Sequence, residues 1–183
     1  MHPERWNNRK GTQSFPSLFR MHNETLIETV TAMVQEILTA DPAYFLVDCR
    51  IKPINNLKIF LDGDQGITIE KCVQVNRALY KKLEESGLFP GGDFSLEVSS
   101  AGLDEPLKSW RQYKKNIGRL VEILLLDGSR KEGKLAEVAE DGIVLEEATG
   151  RGSAGKAVPK KQTTSYHTYL FNNIKTTKIQ VVF

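Results

Sequence analysis

The sequence predicts an α+β fold: a domain of two helices and three strands, then a small β-barrel. Three observations lead there. Residues 24–98 hold two segments of helical apolar periodicity interleaved with three segments of strand-like texture. Residues 119–183 hold five short strand-like runs separated by turn-rich connections, an arrangement suited to a barrel because closure removes open edges. The charge also changes sign between the two regions. Residues 21–105 carry seven Lys/Arg and fourteen Asp/Glu, a net of −7, whereas residues 106–183 carry fourteen and eight, a net of +6. The expected division is a disordered tail over 1–20, an N-terminal α+β domain over 21–106 and a C-terminal barrel domain over 107–183.

Residues 1–20 mix Pro, Gly, Asn and basic side chains without an apolar period, hence the tail. From Glu24 to about Ala40, Leu26, Ile27, Val30, Val34, Ile37 and Leu38 recur at helical spacing, with Asn23 as N-cap and Asp41-Pro42 as the stop. Tyr44–Ile51 and Leu57–Asp62 read as a hairpin turned by Lys52-Pro53-Ile54-Asn55-Asn56. In its second strand Leu57, Ile59 and Leu61 alternate with Lys58, Phe60 and Asp62. Thr68 caps a second helix to about Glu85, whose expected inner side is Ile69, Cys72, Val73, Asn76, Leu79, Tyr80 and Leu83. Ser86-Gly87 ends it, and Phe94–Val98 is a third strand. Both helices are expected on one face of the sheet.

In the second half, Ser109–Asn116 reads as one or two helical turns. Arg119–Leu126, Arg130–Val138 and Ile143–Glu147 read as strands, with Asp127-Gly128 and Asp141-Gly142 as the turns. Residues 148–165 form a long loop or hairpin extension, and Tyr166–Phe171 is a fourth strand. Ile174–Thr177 reads as a single helical turn, and Lys178–Phe183 as the last strand.

Between the halves lies Glu97-Val98-Ser99-Ser100-Ala101-Gly102-Leu103-Asp104-Glu105-Pro106-Leu107. Ser99 and Ser100 are residues whose hydroxyls turn a backbone, Gly102 accepts a positive φ, and Pro106 drives Glu105 towards an extended conformation. These constraints point to a defined interdomain connector, carried by Ser99, Ser100, Gly102, Leu103, Asp104 and Pro106.

Several chemistries are excluded by residue type. Gly150–Lys156 imitates a phosphate-binding loop, but Ala157 stands where magnesium chemistry needs a hydroxyl. The Asp62–Gly66 loop imitates a calcium loop, yet its twelfth position is Val73, not Glu. Val98 replaces the leading glycine of a nucleophile elbow at Ser99-Ser100. Glu97 and Asp104 could pair as acid and base, but nothing around them reads as a pocket. Cys49 and Cys72 have no Cys-x-x-Cys spacing and read as buried thiols, and the three histidines are scattered. No enzyme, cofactor or metal site is expected. No signal-peptide core or membrane-length apolar run is present, so the expected location is the cytoplasm, with no membrane partner.

What remains is charge. Lys108, Arg111, Lys114 and Lys115 fall in a stretch free of acids, with Trp110 and Tyr113 interleaved, and are the expected RNA contacts. Trp110 and Tyr113 themselves read as core anchors. Arg151, Lys156, Lys160, Lys161, Lys175 and Lys178 follow the last acid, Glu147.

The connector resembles the E-V-S-S-P-G-L-D-R-P-L signature of the bacterial ribosome maturation factor RimP family. Similarity extends to Asp62-Gly63 with Ile67-Thr68-Ile69, to Tyr113 with Ile117-Gly118-Arg119, to Gly133-Lys134-Leu135 and to Ile174-Lys175, covering about residues 21–183. Ala101 and Glu105 depart from the signature's Pro and Arg. The resemblance implies that the barrel is Sm-like and that the chain is a non-enzymatic, monomeric factor. It implies binding to the free small (30S) ribosomal subunit during assembly, through ribosomal RNA and a basic ribosomal protein. A stand-alone Sm-like RNA-binding module and a protein-interaction adaptor are the alternatives.

Overall fold

The computed structural model describes residues 15–53, 55–102, 105–149 and 163–180. Residues 1–14, Ile54, the connector's Leu103 and Asp104, and the Gly150–Lys156 loop with Lys160 and Lys161 lie outside them.

Helix α1 spans Phe15–Leu38, so it begins well before Glu24 and Asn23 does not cap it. The expected tail thus gives way to helix at residue 15. Pro16 falls in the first turn, where a missing N–H breaks no helical bond. Strands β1 (Tyr44–Lys52) and β2 (Asn56–Gly63) pair as the expected antiparallel hairpin. Helix α2 (Ile69–Ser86) is capped by Thr68, whose hydroxyl accepts from the Lys71 N–H, and ends at Gly87 in the left-handed region at φ 69°. It carries the chain over to β3 (Ser95–Ser100), which pairs parallel to β2.

Leu26, Val30, Val34 and Leu38 of α1 meet Leu57, Ile59 and Leu61 of β2 and Val75, Leu79 and Leu83 of α2 in one core. The inner side of α2 differs from expectation. Cys72, Val75, Leu79 and Leu83 are buried, while Ile69 is 79% exposed and Val73 and Tyr80 are also exposed. Two apolar stripes share this helix, and periodicity alone does not say which one meets the sheet.

A bulge at Val47 interrupts the β1–β2 ladder. Leu46 pairs with Leu61, but the next partners are Asp48 with Phe60, Cys49 with Ile59 and Ile51 with Leu57. One extra residue reverses which side chains share a face. Leu46, Cys49 and Ile51 therefore join the core, and Asp48 and Arg50 move to the opposite face beside Phe60.

The second half begins with the short helix α3 (Trp110–Lys115). Its capping box has the Ser109 hydroxyl accepting from the Gln112 N–H, while the Gln112 side chain accepts from the Ser109 N–H. Strands β4 (Leu120–Leu125), β5 (Arg130–Val138), β6 (Gly142–Thr149), β7 (Thr163–Leu170) and β8 (Ile174–Ile179) form an antiparallel sheet in the order β7-β6-β5-β4-β8. The expected helical turn at Ile174–Thr177 is strand. The turn lies one step earlier, a 3-10 turn at Phe171–Asn173, and β8 takes residues 174–179 into pairing with β4. Alternation of Ile174, Thr176 and Lys178 with Lys175, Thr177 and Ile179 suits a strand whose buried member is a threonine, a pattern that hydrophobic periodicity does not reveal.

Leu107, Tyr113, Val121, Ile123, Leu135, Ile143 and Leu145 form the second core. Tyr113 is an anchor as expected, its hydroxyl donating to the buried Thr177 at 2.9 Å. Trp110 is not; it is 45% exposed. Among the described residues, no helix is long and apolar enough to cross a membrane, and no cluster of His, Cys, Asp and Glu is placed to hold a metal ion.

Candidate functional site

The helices cover one face of the first sheet, and α3 lies against the other. That second face presents Phe45, Asp48, Arg50, Phe60 and Asp62, while Asp64 follows at the end of β2. Each acidic group there receives a cation from the neighbourhood of α3. Lys108 Nζ donates to Asp48 Oδ2 at 2.5 Å. Arg111 clasps Asp64 with both arms, Nε to Oδ1 at 2.9 Å and Nη2 to Oδ2 at 2.6 Å. The same Nη2 donates to the Pro42 and Ala43 carbonyls, and the guanidinium lies 4.3 Å from the centroid of the Phe45 ring. Lys115 Nζ donates to Asp62 Oδ1 at 2.5 Å, and Gln112 Nε2 donates to Asp62 Oδ2 at 3.4 Å.

The connector joins this array. Arg50 lies over the Phe60 ring, donates from Nε to Asp48 and reaches Glu105 Oε2 with Nη2 at 2.9 Å. Glu105, one of the two positions that depart from the family signature, thus finds its cation in β1. Backbone bonds hold the connector at both ends, Ala101 N–H to Leu61 O at 3.0 Å and Leu107 N–H to Thr177 O at 2.8 Å.

The expected site residues separate into distinct roles. Lys108, Arg111 and Lys115 are engaged by carboxylates of the same chain. Lys114 is exposed, with Nζ 3.9 Å from the Trp110 ring centroid. Ser99 and Ser100 do not turn the chain; they are the last residues of β3, paired with Phe60 and Leu61. That placement also removes any nucleophile elbow. Glu97 is spoken for by Lys58, 2.5 Å away on the neighbouring strand. Gly102 is not in the left-handed region, and a Cβ there would meet nothing within 4 Å. The described ends of the connector are held instead by hydrogen bonds and the Arg50–Glu105 pair. Gly102→Ala is expected to leave stability unchanged or raise it by at most about 1 kcal/mol, checked by urea unfolding.

Sequence reasoning missed Asp62 and Asp64 as partners of α3, Asp48 as the partner of Lys108, and Arg50 as the partner of Glu105. The available signal was the opposite charge of the halves, read as two faces for different partners. Part of that charge is satisfied within the chain.

The electrostatics set a pH dependence. The Arg111 guanidinium holds the Asp64 carboxyl below its ordinary range, and Arg50 does the same for Glu105. At Asp48 burial acts upward, but hydrogen bonds from Lys108 and Arg50 outweigh it and leave the group lowered. Groups depressed in the folded state contribute stability above their unfolded pKa, and that contribution fades as pH falls through the depressed values. Acidification below about pH 4 is expected to loosen this face before the cores melt. Small-angle scattering should register a larger radius of gyration at a pH where the far-ultraviolet circular dichroism is still native. Burial also pushes the Cys49 thiol up to about 11, keeping it protonated and unreactive at neutral pH.

Fold and site together define an α+β protein whose two hydrophobic cores are held together by a charged clasp. The RimP N-terminal domain family matches residues 29–104. Curated proteins named ribosome maturation factor RimP match further. The one from Cytophaga hutchinsonii is 37% identical over 119 residues, 63% of this chain and 71% of the relative. The one from Flavobacterium psychrophilum is 38% identical over 119 residues, 65% and 74% of the two chains. The one from Christiangramia forsetii is 40% identical over 98 residues, 54% and 61%. This chain belongs to the RimP family.

Proposed function

We propose that the protein is a non-enzymatic ribosome maturation factor acting in assembly of the small (30S) ribosomal subunit. Membership in a family whose relatives carry that name carries the reading. In this reading the factor works by binding alone, in the cytoplasm and as a monomer, engaging immature subunit RNA and a basic ribosomal protein. The two cores act as two domains divided after Pro106, the second being an Sm-like barrel. The remaining acidic surface of the first domain suits a basic protein, and the basic surface of the second suits a phosphate backbone.

The clasp refines the expected site. Lys108, Arg111 and Lys115 set the relation between the domains, and Lys114 is left for RNA. Two weak sites fixed at the right separation bind far more tightly than either alone. Sedimentation of cell extract at low salt is the test. The protein should travel with free small subunits and be depleted from translating ribosomes; a protein that stays at the top of the gradient contradicts the reading.

A further inference from the structure

Beside α3, on the side of the second core, a groove of about 550 Å³ is open to solvent. That lies within the roughly 300–1,000 Å³ range of small-ligand clefts. Leu107, Phe171 and Ile174 supply apolar lining, and Trp110, Glu140 and Lys175 bring the chemistry. Three features make it unlike an ordinary surface depression. Trp110 leaves 45% of its surface exposed although a core lies beside it. The Lys114 ammonium covers one face of its indole, so a second flat group has only the other face to stack on. Among the described residues, the side chains of Lys175 and Glu140 have no hydrogen-bond or ion-pair partner, in contrast to the cations committed to the clasp.

We infer that this groove binds one unpaired nucleotide of single-stranded RNA, with guanine as the preferred base. This rests on the proposed function, which it sharpens. The base stacks on Trp110, a contact available to every base. Lys114 and Lys175 attract the adjoining phosphates. The Glu140 carboxylate selects the base. It only accepts hydrogen bonds, so it favours a Watson–Crick edge with two adjacent N–H donors, and guanine offers N1–H beside its exocyclic amine. Adenine and cytosine offer one amine next to an acceptor, and uracil a single N–H between two carbonyls. A peptide is less well matched, because the groove and its edge hold two cations not committed to carboxylates, Lys175 and the Lys114 that rests on Trp110, against one uncommitted acid, Glu140.

The test uses the full chain carrying Trp6→Phe, which leaves Trp110 as the sole tryptophan. Its fluorescence is titrated with the RNA hexamers UUGUUU, UUAUUU and UUUUUU. The guanine hexamer should quench Trp110 and bind about tenfold more tightly than the other two. Glu140→Gln, which keeps size but loses one acceptor, should erase that preference while binding of UUUUUU is retained. Trp110→Ala should weaken every hexamer about tenfold, read by anisotropy of labelled RNA. Lys175→Ala should lower the slope of log affinity against log salt by about 0.7. Equal affinity for the three hexamers overturns the guanine assignment, and full binding by the Trp110→Ala variant overturns the site. A Lys/Arg-rich peptide that quenches Trp110 where the hexamers do not would overturn the nucleotide assignment in favour of a protein partner. The gradient experiment with the same Trp6→Phe chain separates the two levels: co-sedimentation without hexamer binding discards the groove and leaves the proposed function standing.

Discussion

Arg111→Ala is expected to release the second core from the first without unfolding either. Arg111 makes four hydrogen bonds to the first half, two to the Asp64 carboxylate and one each to the Pro42 and Ala43 carbonyls. It also stacks on Phe45, so alanine removes a planar, bidentate and aromatic contact at once. Exposed ion pairs are individually weak, but this side chain holds four partners in fixed geometry and no neighbour replaces it. Loss of cross-interface NMR contacts between α3 and β2, with unchanged peaks inside both cores, is the expected result. Arg111→Lys should rescue little, since an ammonium cannot reproduce the fork. A wild-type interface in the alanine variant would mean that Lys108, Lys115 and the connector suffice. In the proposed function, the same variant should lose affinity for small subunits while each half still folds.

Lys115→Met acts on stability instead. Asp62 is only 6% exposed, and among the described residues Lys115 is the only cation paired with it. Removing that charge leaves a buried carboxylate with two neutral donors, the Gly63 N–H and the Gln112 side chain. Breaking a fully buried pair costs about 3–5 kcal/mol. Partial exposure of Lys115 brings water close enough to reduce this to about 2 kcal/mol. Urea titration at neutral pH should show the loss as a lower midpoint at constant slope. Adding Asp62→Asn should recover most of it, because the orphaned charge is gone. If Lys115→Met melts like the parent, the pair is solvated and contributes nothing.

These two residues show where sequence and structure part company. Arg111 and Lys115 were visible as basic side chains near an aromatic pair, a composition that points to phosphate. Their partners within the chain lie 47 and 53 positions away. The Asp62–Gly66 loop was visible as an acidic turn unfit for calcium, but not as the acceptor of two cations. Trp110 and Tyr113 have similar apolar character at helical spacing, yet only Tyr113 has a buried hydroxyl partner, Thr177, and only it enters the core. The turn expected at Ile174–Thr177 failed because β8 is half polar, and its pairing with β4 settles its conformation.

Local pattern by itself determined the order of most elements, the β1–β2 hairpin, the Thr68 cap and the turns at Gly87 and Gly128. Those features depend on near neighbours in the chain: side-chain period, capping hydroxyls and glycine's tolerance of positive φ. The charge segregation was likewise plain in the sequence. Which charges meet was decided by tertiary structure. The Val47 bulge turns Asp48 and Arg50 away from the core, and β2 carries Asp62 to the same face. Packing of Leu107 and Tyr113 into the second core then brings the basic side of α3 against them. Complementary charges far apart in sequence pair only when backbone geometry sets them on facing surfaces, and a one-residue bulge is enough to choose the face.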